Sequence, residues 1–108
     1  MLVTSNFKKN DAISIKLSTG EEVVARFYTD TRDELKVIRP KVLTLNPENG
    51  NAMLIPWLMS TDADNNDVVV IHNKQVVAVA KPSAGLANSY LNSTSSLKIQ
   101  ENKPSLLI

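Results

Sequence analysis

Cysteine is absent from this chain of 108 residues, and glycine, histidine and aromatic residues are scarce. Without cysteine there is no disulfide framework, no thiolate metal site and no cysteine nucleophile. One histidine is too few for a zinc site or for a hydrolytic triad. The three glycines, Gly20, Gly50 and Gly85, are dispersed, so there is no glycine-rich phosphate loop. We therefore predict a protein that is not an enzyme and that has no cofactor and no bound metal.

An excess of charge of one sign is also lacking. Twelve basic and eleven acidic residues leave a net charge of +1. The strong field that draws basic proteins onto duplex DNA or anionic lipid is therefore missing, and any contact with nucleic acid has to be local. No apolar run approaches the length of a membrane span, and residues 1–11 do not resemble a secretory signal. We expect no membrane partner and a cytoplasmic location.

What the chain does contain, up to residue 81, is a series of apolar runs typical of β-strands. Residues 13–27 predict two strands joined at Thr19-Gly20, with Ile13, Ile15 and Leu17 facing a core. A third strand begins near residue 35 and bends or lies at an edge at Pro40, because proline offers no hydrogen-bond donor to a sheet. After the turn at residues 46–50, a fourth strand is predicted over residues 52–59. Two further runs, 68–71 and 75–80, meet at a polar turn.

Helical spacing appears only after this β region. Ser83 is a candidate helix cap, and apolar side chains recur at helical intervals up to residue 91. We predict an N-terminal extension over residues 1–11, a β domain over 12–81, a short helix over 82–92 and a flexible tail over 93–108. A series of five or six short, bent strands followed by one helix predicts a mainly β fold, in the form of a small, strongly curved barrel.

Two segments of this β region resemble the Sm-like (LSm) family. Residues 17–27, LSTGEEVVARF, are similar to its first motif, in which a turn ending in glycine leads into a strand of the form xxVxGxL. Residues 72–77, HNKQVV, lie where the family carries arginine-glycine, a short turn and the last strand. The resemblance covers residues 12–81, and Ala25 replaces the glycine that lets the second strand bend. Residues 82–90 also resemble the ending of small Sm-like proteins of tailed bacteriophages, which implies a phage origin and a location in the host cytoplasm.

This resemblance implies a five-stranded barrel and a homo-oligomeric ring. In the family, the fourth strand of one subunit pairs with the fifth strand of the next. The runs at 68–71 and 75–80 support the same expectation, because β-prone runs with almost no charge favour aggregation when they lie on an open sheet edge. The alternative is that both runs are buried within a single barrel.

The family binds nucleotides through the loop between its second and third strands and through the turn before its last strand. In the first loop Asp30 matches the family's aspartate, Arg32 occupies the position of the stacking residue, and Glu34 replaces an asparagine. In the turn, His72 and Asn73 replace arginine and glycine, and Lys74 adds a positive charge. A planar guanidinium can stack on a base, so the candidate single-stranded RNA site comprises Asp30, Arg32, His72, Asn73 and Lys74.

Arg32 and His72 also have ordinary alternative roles. Arg32 on a solvated turn pairs with Asp33 or Glu34, and His72 caps the end of a strand. Two functions therefore remain open. One is a ring that binds single-stranded RNA and modulates RNA metabolism. The other is a barrel that serves as a protein-binding or assembly module for an unidentified protein partner, without binding RNA.

Overall fold

The computed structural model describes residues 7–61 and 66–94. Residues 1–6 of the predicted N-terminal extension, residues 62–65 in the polar, acidic segment 60–67 and residues 95–108 of the predicted tail lie outside these described residues. Six antiparallel strands form one sheet, and a short C-terminal helix follows them, so the mainly β prediction is confirmed. The elements are β1 (Ala12–Leu17), β2 (Glu22–Asp30), β3 (Glu34–Leu45), β4 (Ala52–Pro56), β5 (Val68–His72), β6 (Val76–Ala80) and α1 (Ala84–Ser93).

The strand order is β4-β3-β2-β1-β6, with β5 paired to β3 beside the β4 end of the sheet. The long β3 pairs with β5 through residues 34–38 and with β4 through residues 41–45. Although β5 and β6 are separated only by the 3-10 turn Asn73–Gln75, they lie at opposite ends of the sheet. Within the described residues no ladder joins these two ends, so the sheet is open where a closed five-stranded barrel was expected. The six strands agree with the five or six that the sequence predicts, and β4, which ends at Pro56, is separate from β5, which begins at Val68.

The bend predicted at Pro40 takes the form of a bulge. Val24 lies opposite Lys41 and Arg26 lies opposite Ile38, so β3 has one more residue than β2 in this interval. Arg39, at the bulge, has a φ of 52°, in the left-handed region that non-glycine residues rarely adopt. This bulge bends the sheet beside β2, where Ala25 stands in place of the family's glycine.

The main core lies on one face of the sheet. In β1 the alternation is the predicted one, because Ile13, Ile15 and Leu17 are buried and Lys16 is exposed. Phe7 and Trp57 pack against the edge of this core, so part of the predicted N-terminal extension contacts the β domain. The buried cluster consists of Ile13, Ile15, Leu17, Val23, Ala25, Phe27, Leu35, Val37 and Ile71.

Helix α1 is anchored to the sheet by a buried tyrosine. Ser83 caps the helix as predicted, because its side chain accepts a hydrogen bond from the Leu86 amide. Tyr90 is fully buried, and its hydroxyl donates to the carbonyls of Ile38 (3.2 Å) and Arg39 (2.8 Å) at the β3 bulge. Burial raises the pKa of the Tyr90 phenol well above its usual value.

Two arginines hold the C-terminal end of the same helix. Arg39 donates to the carbonyl of Thr94. Arg26 donates to the Thr94 hydroxyl (3.0 Å) and to the Leu91 carbonyl (3.4 Å). Cations at this end of a helix also interact favourably with its dipole. Among the described residues, α1 and every other helix fall short of the length and apolar character that a membrane span requires.

Candidate nucleic-acid interface

The loop between β2 and β3 and the turn before β6 lie against each other, although they are about forty residues apart in sequence. They meet because the β3–β5 ladder places Glu34 opposite His72, so the residues just beyond this pair are neighbours. The Asn73 side-chain amide then donates to the carbonyls of Thr31 (3.0 Å) and Arg32 (2.8 Å). The backbone N–H of Asn73 donates to the Asp33 carbonyl (2.9 Å). Three hydrogen bonds from one residue therefore tie the turn to the loop.

A cavity of about 720 Å³ opens where the loop and the turn meet. Four of the five predicted site residues line it: Arg32, His72, Asn73 and Lys74. The fifth, Asp30, ends β2 and is not among the lining residues. The structure therefore brings together the two loops that the sequence singled out, at a single opening.

Within this cavity Asn73 differs from its charged neighbours. Its side chain is half-buried and donates to two loop carbonyls, whereas Arg32, His72 and Lys74 are exposed. We therefore interpret Asn73 as a residue that positions the loop, and the other three as the side chains that are accessible at the opening.

The acidic residues beside the cavity have separate environments. Glu34, which replaces the family's asparagine, lies in β3 with a carboxylate oxygen 4.0 Å from Lys36 Nζ, and it does not line the cavity. Asp33 does line the cavity, and its carboxylate forms no hydrogen bond or ion pair with any described residue. The negative charge at the opening therefore comes from Asp33, and not from Glu34, which the Sm-like resemblance aligns with the family's asparagine.

Sequence reasoning missed two lining residues, Asp33 and Gln75. Gln75 is held by a third segment, the turn between β1 and β2. Ser18 Oγ donates to Gln75 Oε1 (2.5 Å), and the Ser18 amide donates to the Gln75 carbonyl (2.8 Å). Gln75 could have been included in the predicted site, because it lies two residues after Asn73 in the same turn. No sequence pattern indicates that Ser18, which is 57 residues away, supports it.

Two strand edges near the cavity have no partner strand among the described residues. β5 pairs only with β3, and β6 pairs only with β1. Both carry exposed valines: Val70 on β5 is 45% exposed and Val77 on β6 is 63% exposed. Burial of both runs within one barrel is therefore not seen in this single chain.

Comparison of the sequence with known protein families and with curated proteins finds no match. The Sm-like resemblance therefore depends on the order and spacing of the two motifs.

Proposed function

We propose that this protein is an Sm-like ring that binds single-stranded RNA. The observation that carries the proposal is the junction of the β2–β3 loop and the Asn73–Gln75 turn in one cavity lined by Arg32, His72 and Lys74. These are the two loops that hold nucleotides in the family that the sequence resembles.

The open edges of β5 and β6 support the ring. When β5 of one copy pairs with β6 of the next, every copy satisfies its β5 and β6 edges and the assembly closes on itself. Such pairing also covers Val70 and Val77, whose exposure is unfavourable in water. Closing the barrel across subunits gives the strongly bent Sm-like fold that the resemblance implies, and it arranges the cavities of successive copies around a central pore.

The charges of the cavity suit a single strand of RNA. The planar guanidinium of Arg32 is suited to stacking on an unpaired base, since every base has a π face. Lys74 and His72 supply donors for phosphate oxygens, and the lysine ammonium also attracts them by its charge. Local charges of this kind do not need a basic protein, which is consistent with a net charge of only +1.

Fluorescence anisotropy with labelled hexauridine and hexaadenosine at low salt tests this proposal. We expect binding that weakens as salt rises, and weaker binding by Arg32→Ala and Lys74→Ala. If Lys74 contacts one phosphate, its removal reduces the salt slope by roughly 0.7. Lys81→Ala is the matched control, because Lys81 lies six residues from Gln75 across β6, roughly 20 Å at the rise of an extended strand. No binding at low salt, or an equal loss with Lys81→Ala, contradicts RNA binding at this site.

The second candidate is a ring that serves as a protein-assembly module without binding RNA. It is favoured by the low net charge and by Leu45 and Met53, which are exposed near the tip of the β3–β4 hairpin. A purified ring that binds neither hexauridine nor hexaadenosine would favour this function over RNA binding. A phage origin and a place in the host cytoplasm remain part of the proposal, since they depend on the same resemblance.

A further inference from the structure

We infer that the cavity prefers guanine over the other bases. This inference rests on the proposed function, because it names the base that the RNA site reads. It depends on two lining residues, Asp33 and Gln75, whose side chains carry a hydrogen-bond acceptor and a hydrogen-bond donor.

Asp33 supplies the acceptor. Its backbone is fixed, because its carbonyl accepts a hydrogen bond from the Asn73 amide (2.9 Å). Its carboxylate is exposed at the cavity and makes no hydrogen bond or ion pair with any described residue. An ionised carboxylate only accepts hydrogen bonds, and its two oxygens can accept from two adjacent donors at once.

Gln75 supplies the donor. Its Oε1 already accepts from Ser18 Oγ (2.5 Å), and its backbone carbonyl accepts from the Ser18 amide (2.8 Å). These two bonds hold the residue and engage Oε1, while Nε2 forms no hydrogen bond with any described residue. The Nε2 group, which carries two hydrogens, is therefore the part of this amide that serves a ligand as a donor.

Guanine is the base whose pairing edge matches this arrangement. Along that edge it presents the O6 acceptor followed by two donors, N1–H and the N2 amino group. The carboxylate of Asp33 accepts from both donors, while Gln75 Nε2 donates to O6. Uracil has one donor between two acceptors, so its second carbonyl faces the carboxylate and repels it. Adenine and cytosine place a ring acceptor next to their amino group, so neither offers two adjacent donors.

Three labelled hexanucleotides test this inference by fluorescence anisotropy: hexauridine, the same strand with one central guanosine, and the same strand with one central inosine. Inosine lacks the N2 amino group and keeps O6 and N1–H. A good bidentate contact predicts roughly tenfold or more tighter binding of the guanosine strand than of hexauridine, with inosine between them. Asp33→Asn should abolish the guanosine preference and tighten the binding of hexauridine, because it removes the negative charge.

Glu34→Gln is the matched control, since it neutralises the neighbouring carboxylate, which does not line the cavity. It should leave the base preference unchanged. Absence of binding to all three strands contradicts the proposed function and this inference with it. Binding without a guanosine preference overturns the inference alone and leaves RNA binding in place. The same holds if Asp33→Asn lowers the affinity for all three strands equally.

Discussion

Replacing Asn73 by alanine should destabilise the protein and weaken RNA binding together. The variant keeps the backbone hydrogen bond to Asp33 but loses the two side-chain bonds to the carbonyls of Thr31 and Arg32. At about 0.5–1.5 kcal/mol for each bond, the expected loss in the free energy of unfolding is about 1–3 kcal/mol. Because these bonds hold the Arg32 loop, we expect RNA affinity to fall roughly tenfold, which corresponds to about 1.4 kcal/mol.

Urea denaturation at fixed protein concentration measures the first effect, and anisotropy with a short RNA strand measures the second. Trp57, the single tryptophan in the sequence, is a fluorescence probe close to the core. Lys74→Ala is the matched control from the same turn. Lys74 is exposed, so its removal should change stability by less than about 0.5 kcal/mol while still weakening RNA binding. An Asn73→Ala variant with the stability and affinity of the parent protein refutes the assignment of Asn73 as the residue that joins the two loops.

Three further predictions concern the assembly, the helix and the first turn. Val77→Lys should reduce the mass of the assembly measured by light scattering, because it puts a charge on the β6 edge. Leu45→Lys is the matched control and should leave the mass unchanged, since Leu45 is 65% exposed and Val77 is 63% exposed. Burial raises the pKa of Tyr90, so the phenol loses its proton more readily in the unfolded chain than in the folded one. The free energy of unfolding should therefore not depend on this group below about pH 10. Above that pH it should fall by up to about 1.4 kcal/mol per pH unit. Tyr90→Phe should show a smaller decrease in the same urea titration. Gly20→Ala should destabilise by roughly 1–2 kcal/mol in thermal unfolding, since Gly20 has a φ of 101° and a Cβ there meets no neighbouring atom within 4 Å.

Local patterns in the sequence were sufficient to predict the elements of the fold. The period-two alternation of β1, the glycine turn and the Ser83 cap are short-range signals, and each has the predicted role in the structure. The end of the fourth strand and the pairing of β4 and β5 were less accessible. The predicted fourth strand extended to Met59, whereas β4 ends at Pro56. The difference arises because β4 and β5 pair with different halves of β3, and such pairing depends on contacts that are distant in sequence.

For the candidate site, too, the sequence indicated which segments are involved but not the contacts between them. The family resemblance identified the loop and the turn, and four of the five residues proposed from it line one cavity. The support that Ser18 gives to Gln75 depends on β6 pairing with β1 and is not visible from local sequence. The role of Asn73 was also not predictable, because whether its amide contacts a ligand or a neighbouring loop is decided by the β3–β5 register.

The proposed ring requires that the open edges of β5 and β6 be satisfied by other copies of this chain. Light scattering coupled to size-exclusion chromatography measures this directly on the purified protein. For a closed ring we expect a single, narrow species whose mass is an integral multiple of the 11.9 kDa chain and does not change on dilution through the micromolar range. A species of 11.9 kDa that persists at high concentration would contradict it.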